Sequence, residues 1–401
     1  MPVIPVGSQI FDLAFHPTSN VVYTGLLDGK VKTFTYDDQG AHSAAKSLRL
    51  SKRSCRGLAL SPDGSSLCAV GKNRTLYTID TSTGTVSETR QGVHDAPINR
   101  VVYPTPHLLA TGDDDGTIKL WDPRKQEAIH TYAQHFDFIS DFMWLQDKRQ
   151  LVATSGDGTL SVMDVRSKKP EPFAHSEDQE DELLSIVPFK GGTKVAVGTQ
   201  LGIISIFNRN KGWGDCVDRV PGHPHSVDAL CPLPSSYPSS HNTILTGSSD
   251  GLLRVIELLP TRLVGVIADH KDFPIERIAI DRAGEGRWVG SVGHDEVLRL
   301  TDLREVLEDE EEGGAKEEDG DGEEDALSDE GTEGAPPVLP LAKKAVTADD
   351  EDGGGGHGSE DESDGPKPKK RQKKDNGDLK GRAEKKRRNQ VDIDPSFFSG
   401  L

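Results

Sequence analysis

The sequence predicts an all-β fold, a seven-bladed β-propeller, from three observations. A tight-turn pair followed by an alternating apolar run recurs seven times, centred on Asp28-Gly29, Asn73-Arg74, Asp115-Gly116, Asp157-Gly158, Leu201-Gly202, Asp250-Gly251 and Asp295-Glu296. Successive turns lie 45, 42, 42, 44, 49 and 45 residues apart, and a hairpin turn at fixed phase with that period marks repeated four-stranded blades. Helical periodicity is almost absent until Asp302.

Each repeat parses into strand a, a turn, strand b, a tight turn, strand c and a weaker strand d. Strand a is expected at 10–15, 55–60, 98–103, 139–144, 184–189, 227–232 and 275–280, and strand b at 21–25, 67–70, 108–111, 151–154, 194–198, 243–246 and 287–291. Strand c is the period-two run after each tight turn, as in Lys30–Phe34 and Leu252–Ile256. The a–b turns carry turn chemistry, such as Ser61-Pro62-Asp63-Gly64. An open ring would leave edge strands unpaired, so Val3–Val6 is expected to close it as the outer strand of blade seven. Pro2 and Pro5 suit that outermost place, where a missing donor does little harm.

These repeats resemble WD40 repeats. The resemblance implies a buried tetrad of His, Ser/Thr, Asp and Trp within a blade. Blade three supplies all four as His94, Thr111, Asp115 and Trp121. Blade six offers His223 or His225, Thr246 and Asp250, with Ile256 in place of Trp. Blade seven offers His270, Ser291 and Asp295, with Thr301 in that place. Blade one has Thr24, Asp28 and Phe34 without the His, and blades two and five depart most.

Composition divides the 401 residues into parts. A propeller is expected over 1–303, then an acidic segment at 304–365, a basic segment at 366–390 and a terminal peptide at 391–401. Residues 303–364 hold 24 acids against 4 bases, with too little apolar content to offset chain entropy, so disorder is expected there. A short helix over 303–310 is compatible with the pattern. Residues 365–388 reverse the balance, with 12 bases against 3 acids. Their two clusters, Lys367, Lys369, Lys370, Arg371, Lys373 and Lys374, then Lys385, Lys386, Arg387 and Arg388, read as a localisation signal for the nucleus and nucleolus or a nucleic-acid-binding arm. Phe397, Phe398 and Leu401 read as a short docking peptide. Thr347 and Ser359, each with an acid three residues on, are candidate phosphorylation sites.

Cys55, Cys68, Cys216 and Cys231 form no C-x-x-C pair, so buried thiols in a reducing compartment are expected. The first residues show neither a basic start nor a long apolar run, and no stretch reads as a membrane helix, so a soluble intracellular protein is expected.

The whole set of features is similar to the WD repeat-containing protein 55 family and its fungal members. The likeness rests on the opening Ile10-Phe11-Asp12-Leu13-Ala14-Phe15-His16-Pro17, the seven divergent blades, and an acidic-then-basic tail ending on Phe397-Phe398-Ser399-Gly400-Leu401. It implies a nucleolar protein acting in ribosomal RNA processing and ribosome assembly, and the residues themselves add the expectation of a scaffold for protein and RNA partners with neither catalysis nor cofactor.

Two surface motifs refine that expectation. Trp121-Asp122-Pro123-Arg124 matches the Trp-Asp-x-Arg signature of propellers that serve cullin–RING ubiquitin ligases as substrate receptors, which makes Trp121, Asp122 and Arg124 adaptor-binding candidates. Met163-Asp164-Val165-Arg166 and Thr301-Asp302-Leu303-Arg304 are looser echoes. Lys46, Arg49, Lys52, Arg53 and Arg56 occur in an acid-free stretch, and the d–a and b–c loops should share a face, placing Lys52 and Arg53 near Lys72 and Arg74. That patch is a candidate for RNA phosphates, although no exposed aromatics are interleaved and a solvated rim is the plainer alternative. Asp113-Asp114-Asp115 could hold a cation but reads better as a turn. No phosphate loop, nucleophile elbow or helical metal pair occurs, and the loops at 176–182 and 232–242 are where specificity would reside.

Overall fold

The computed structural model describes residues 2–307. The basic and terminal segments, all but the first few residues of the acidic segment, and the two phosphorylation candidates lie outside the described residues.

Seven four-stranded antiparallel sheets form, each from consecutive strands except the last. Strand a of every blade touches strand a of both neighbours, and that of blade seven (Ile275–Ile280) touches that of blade one (Ile10–Phe15), so the ring closes. The ring is completed by Val3–Pro5, which pairs antiparallel with Val297–Asp302 as the outermost strand of blade seven. Val6 and Gly7 add backbone hydrogen bonds to the Glu296 carbonyl, and Leu300 donates to that of Pro2. Ile4 and Val6 are buried against Leu298, Leu300 and Trp288, so an apolar seam reinforces the ladder.

Burial follows strand position. The b strands Leu108–Asp113, Gln150–Ser155, Thr243–Ser248 and Trp288–Gly293 are buried at every residue, because neighbouring blades cover both faces. Small residues permit that closeness. An added Cβ on Gly112 would come within 2.5 Å of the Ile139 side chain of the next blade. The outer strand His42–Arg49 is exposed at almost every residue, as an edge must be.

Five of the seven b–c turns place glycine at φ between 78° and 82° (Gly29, Gly116, Gly158, Gly202 and Gly251), the left-handed region that side chains resist. Arg74 and Glu296 occupy it in the other two at φ 58° and 61°. Each such turn lies under the d–a loop entering the next blade, as where a Cβ on Gly251 would meet the Lys271 carbonyl. The chain reverses at every strand, so the b–c turns and d–a loops share one face of the disc. The a–b and c–d turns share the other. After Asp302 the chain turns helical over 303–307, with Leu303 buried and Val306 and Leu307 packed on blades six and seven. Among the described residues, no helix is long and apolar enough to cross a membrane.

Candidate binding surfaces

The buried polar residues are first accounted for as internal struts. In blade three His94 Nδ1 lies 2.7 Å from Asp113 Oδ2 and Nε2 lies 2.7 Å from Thr111 Oγ1, while Trp121 Nε1 donates to Thr111 Oγ1 at 2.8 Å. The tetrad expected there is thus corrected at one member, since its acid is Asp113 and not Asp115. Thr111 and Asp113 are two apart on one strand and face the same way, whereas Asp115 stands exposed at the turn. Asp113 also accepts the backbone N–H groups of Asp115 and Thr117, fixing the turn.

Blade seven assembles His270, Ser291 and Asp295 at 2.7 and 2.8 Å. In blade six His223, not His225, reaches Thr246 at 2.9 Å, while Asp250 is diverted into a two-point pair with Arg254. Blade four holds a strut that the sequence reading missed, with His135 bonded to Asp157 at 3.0 Å and to Ser161 of strand c at 2.8 Å. Its signal was the His135-to-Asp157 spacing, close to that in blade three. Burial pushes the Asp157 carboxyl up, but hydrogen bonds from His135, Thr159 and the Phe136 N–H outweigh it and hold the group well below the usual range.

On the face of a–b and c–d turns, Trp121 is a core residue and Asp122 is buried. The Arg124 guanidinium folds back onto Asp122 through two hydrogen bonds of 2.8 Å, yet 66% of the side chain remains exposed. Arg166 grips Asp164 in the same way, whereas Asp302 of the third echo pairs with Arg287. Arg90, from strand d of blade two, donates to the Pro123 and Lys125 carbonyls at 2.6 Å and so braces this turn.

The basic run expected near blade two splits. Lys46 and Arg49 sit on the outer strand, the latter near Asp28, and Arg56 points inward to Asp114 and Asn99. Lys52, Arg53, Lys72 and Arg74 all stay exposed on the face of b–c turns, and the Lys72 N–H donates to the Ser54 carbonyl, drawing the two loops together. Four large apolar side chains stand exposed on the same face. Leu27 (49% exposed) and Leu201 (57%) ride b–c turns, and Phe136 (92%) and Phe273 (46%) ride d–a loops.

That face opens into the axial channel, which the sequence reading did not identify as a site although it had singled out two of its lining residues, Arg56 and Asp114. Every strand a carries a bulge at its second residue. A bulge re-aims a side chain. The seven residues concerned, Phe11, Arg56, Asn99, Ser140, Leu184, Asp228 and Glu276, all line a cavity of about 440 Å³, together with Asp114, Asp137 and Phe138. One residue deeper, Arg277 spans to Asp141 at 3.0 Å and to Asp12 at 3.4 Å, a strut between blades seven, four and one.

The thiols of Cys55, Cys68 and Cys231 are buried, and burial pushes those of Cys68 and Cys231 up to about 12, so they are packing groups and poor nucleophiles. Among the described residues, no group of His, Cys, Asp and Glu has the geometry to hold a metal ion.

A family model described as WDR55 matches residues 1–306. The chain is 64% identical over 317 residues to the WD repeat-containing protein JIP5 of Laccaria bicolor, covering 76% of this chain and 75% of that one. It is 35% identical over 309 residues to the WD repeat-containing protein 55 of Arabidopsis thaliana (76% and 83% covered), and 35% identical over 301 residues to that of Rattus norvegicus (74% and 76%).

Proposed function

The chain belongs to the WDR55 family, and from that premise we propose that it is a non-enzymatic nucleolar scaffold. It holds protein partners, with RNA as a second ligand, during ribosomal RNA processing and ribosome assembly. The observation that carries the binding role is the face of b–c turns and d–a loops. Leu27, Phe136, Leu201 and Phe273 are exposed there on a rigid ring, where water contact is unfavourable and a partner would cover them. The nucleolar setting is supported by the basic clusters at 367–374 and 385–388 behind an acidic segment.

A second reading, a substrate receptor of a cullin–RING ligase, draws on Arg124, which is exposed on the opposite face and held in one pose by Asp122. One complementation experiment separates the two. Depletion should accumulate unprocessed ribosomal RNA and remove a nucleolar signal. An Arg124→Ala chain should restore processing, and a Phe136→Ser/Phe273→Ser chain should not. Rescue by the phenylalanine variant with failure of Arg124→Ala would move the working surface to the adaptor side.

A further inference from the structure

The mouth of the axial channel has a charge pattern that the blade repeat does not require. Both guanidiniums in its lining are already engaged: Arg56 is met by both oxygens of Asp114 at 2.9 and 3.0 Å and by Asn99 at 2.6 Å, and Arg100 donates to the Ser140 carbonyl. The carboxylates on the far side are met differently. Asp228 accepts from two hydroxyls, Ser249 at 2.6 Å and Ser226 at 3.1 Å, and Glu276 lies 2.5 Å from His294 Nε2, a contact that raises the imidazole pKa but leaves no guanidinium or ammonium of the described residues on either acid. Asp228 and Glu276 occupy the same bulge position on adjacent blades, so their negative charges add in a partly desolvated place. Burial raises the Asp228 carboxyl, and the Glu276 charge adds to that rise. Asp137 brings another carboxylate to the rim, while Phe11, Phe138, Ile139 and Leu184 supply the apolar stretches of wall between the polar groups.

A cavity with apolar walls and paired acids accommodates a cation on a hydrocarbon stem, since such side chains bury the stem and deliver the charge. We propose that the channel mouth seats an arginine or lysine side chain from a basic segment of a partner protein, with its head between Asp228 and Glu276 and its stem against Phe11 and Phe138. The assignment rests on the reading of the chain as a protein-binding platform. An RNA strand is the disfavoured occupant, because its phosphates would face Asp137, Asp228 and Glu276 together.

The test uses the full-length protein and a library of short peptides with arginine, lysine, citrulline or glutamate fixed at the central position. Immobilised protein should enrich arginine or lysine over citrulline by about tenfold or more, and the near-isosteric Asp228→Asn/Glu276→Gln variant should lose that preference. An unchanged melting temperature would show that the variant is folded. Equal capture of arginine and citrulline peptides, or a preference that survives in the variant, overturns the proposal. So does capture of a single-stranded RNA pool that Asp228→Asn/Glu276→Gln strengthens in the absence of peptide enrichment. If the library shows no preference while Phe136→Ser/Phe273→Ser still abolishes rescue, the mouth assignment fails and the platform stands. If neither variant affects any partner, both fall.

Discussion

His223 is a buried imidazole whose charge is suppressed. Burial and the nearby Arg254 guanidinium pull its pKa down to about 3, because Asp250, the acid expected to support it, is committed to Arg254. An unfolded histidine takes up a proton near pH 6.5, whereas folded His223 does so only near 3. The unfolded chain therefore holds the extra proton between those values. The stability this group contributes is complete above pH 6.5 and is lost as pH falls toward 3, at a slope approaching about 1.4 kcal/mol per pH unit. Denaturant titrations should show wild type ahead of His223→Gln at neutral pH, with the gap shrinking steadily on acidification. A gap independent of pH would refute the neutral assignment. The tetrads show where residue-level reading succeeds and where it fails. His94, Thr111 and Trp121 were legible from the resemblance to WD40 repeats, laid on the phase of the third blade. The choice between Asp113 and Asp115 was not, because both lie within reach of one turn and only the actual strand end decides which faces inward.

At the scale of the element, the N-terminal strand carries the closure. Val3–Pro5 could be read from the sequence because a seven-blade ring needs an outer partner for Val297–Asp302 and the opening residues alternate suitably. Ile4 is 1% exposed and packs in the seam, while Val3 is 41% exposed and faces outward opposite Arg299. Ile4→Asp should therefore cost about 3 kcal/mol or more, from lost apolar burial and a buried unpaired carboxylate. Val3→Lys should stay within about 0.5 kcal/mol of wild type. Chemical denaturation measures both, and an Ile4→Asp chain as stable as wild type would mean that the seam does not seal the ring. The basic run of 46–56 divides among three places for a related reason, although Lys52 and Arg53 do share a face with Lys72 and Arg74 as expected. Composition shows a cluster, but the strand period sends Lys46 and Arg49 to the outer edge and Arg56 into the channel. The channel mouth was not legible as a site, since its lining is gathered from all seven blades and no local window contains it.

For the molecule as a whole, the account separates two faces. One carries turns and loops with exposed Leu27, Phe136, Leu201 and Phe273, a basic rim at blades one and two, and the acidic mouth. The other carries the braced turn of Asp122 and Arg124. Internal struts such as Arg277 between Asp12 and Asp141 tie blades across the axis. Partners should thus meet a preformed surface, and affinity should depend on side chains already in place. The most direct measurement is amine crosslinking with mass spectrometry on the tagged full-length protein in nuclear extract. Exposed lysines mark both faces, with Lys52, Lys72 and Lys271 on the side of the b–c turns and Lys125, Lys148 and Lys211 on the other. The account predicts that crosslinks to partners concentrate on the first three, and a concentration on the second three would contradict it.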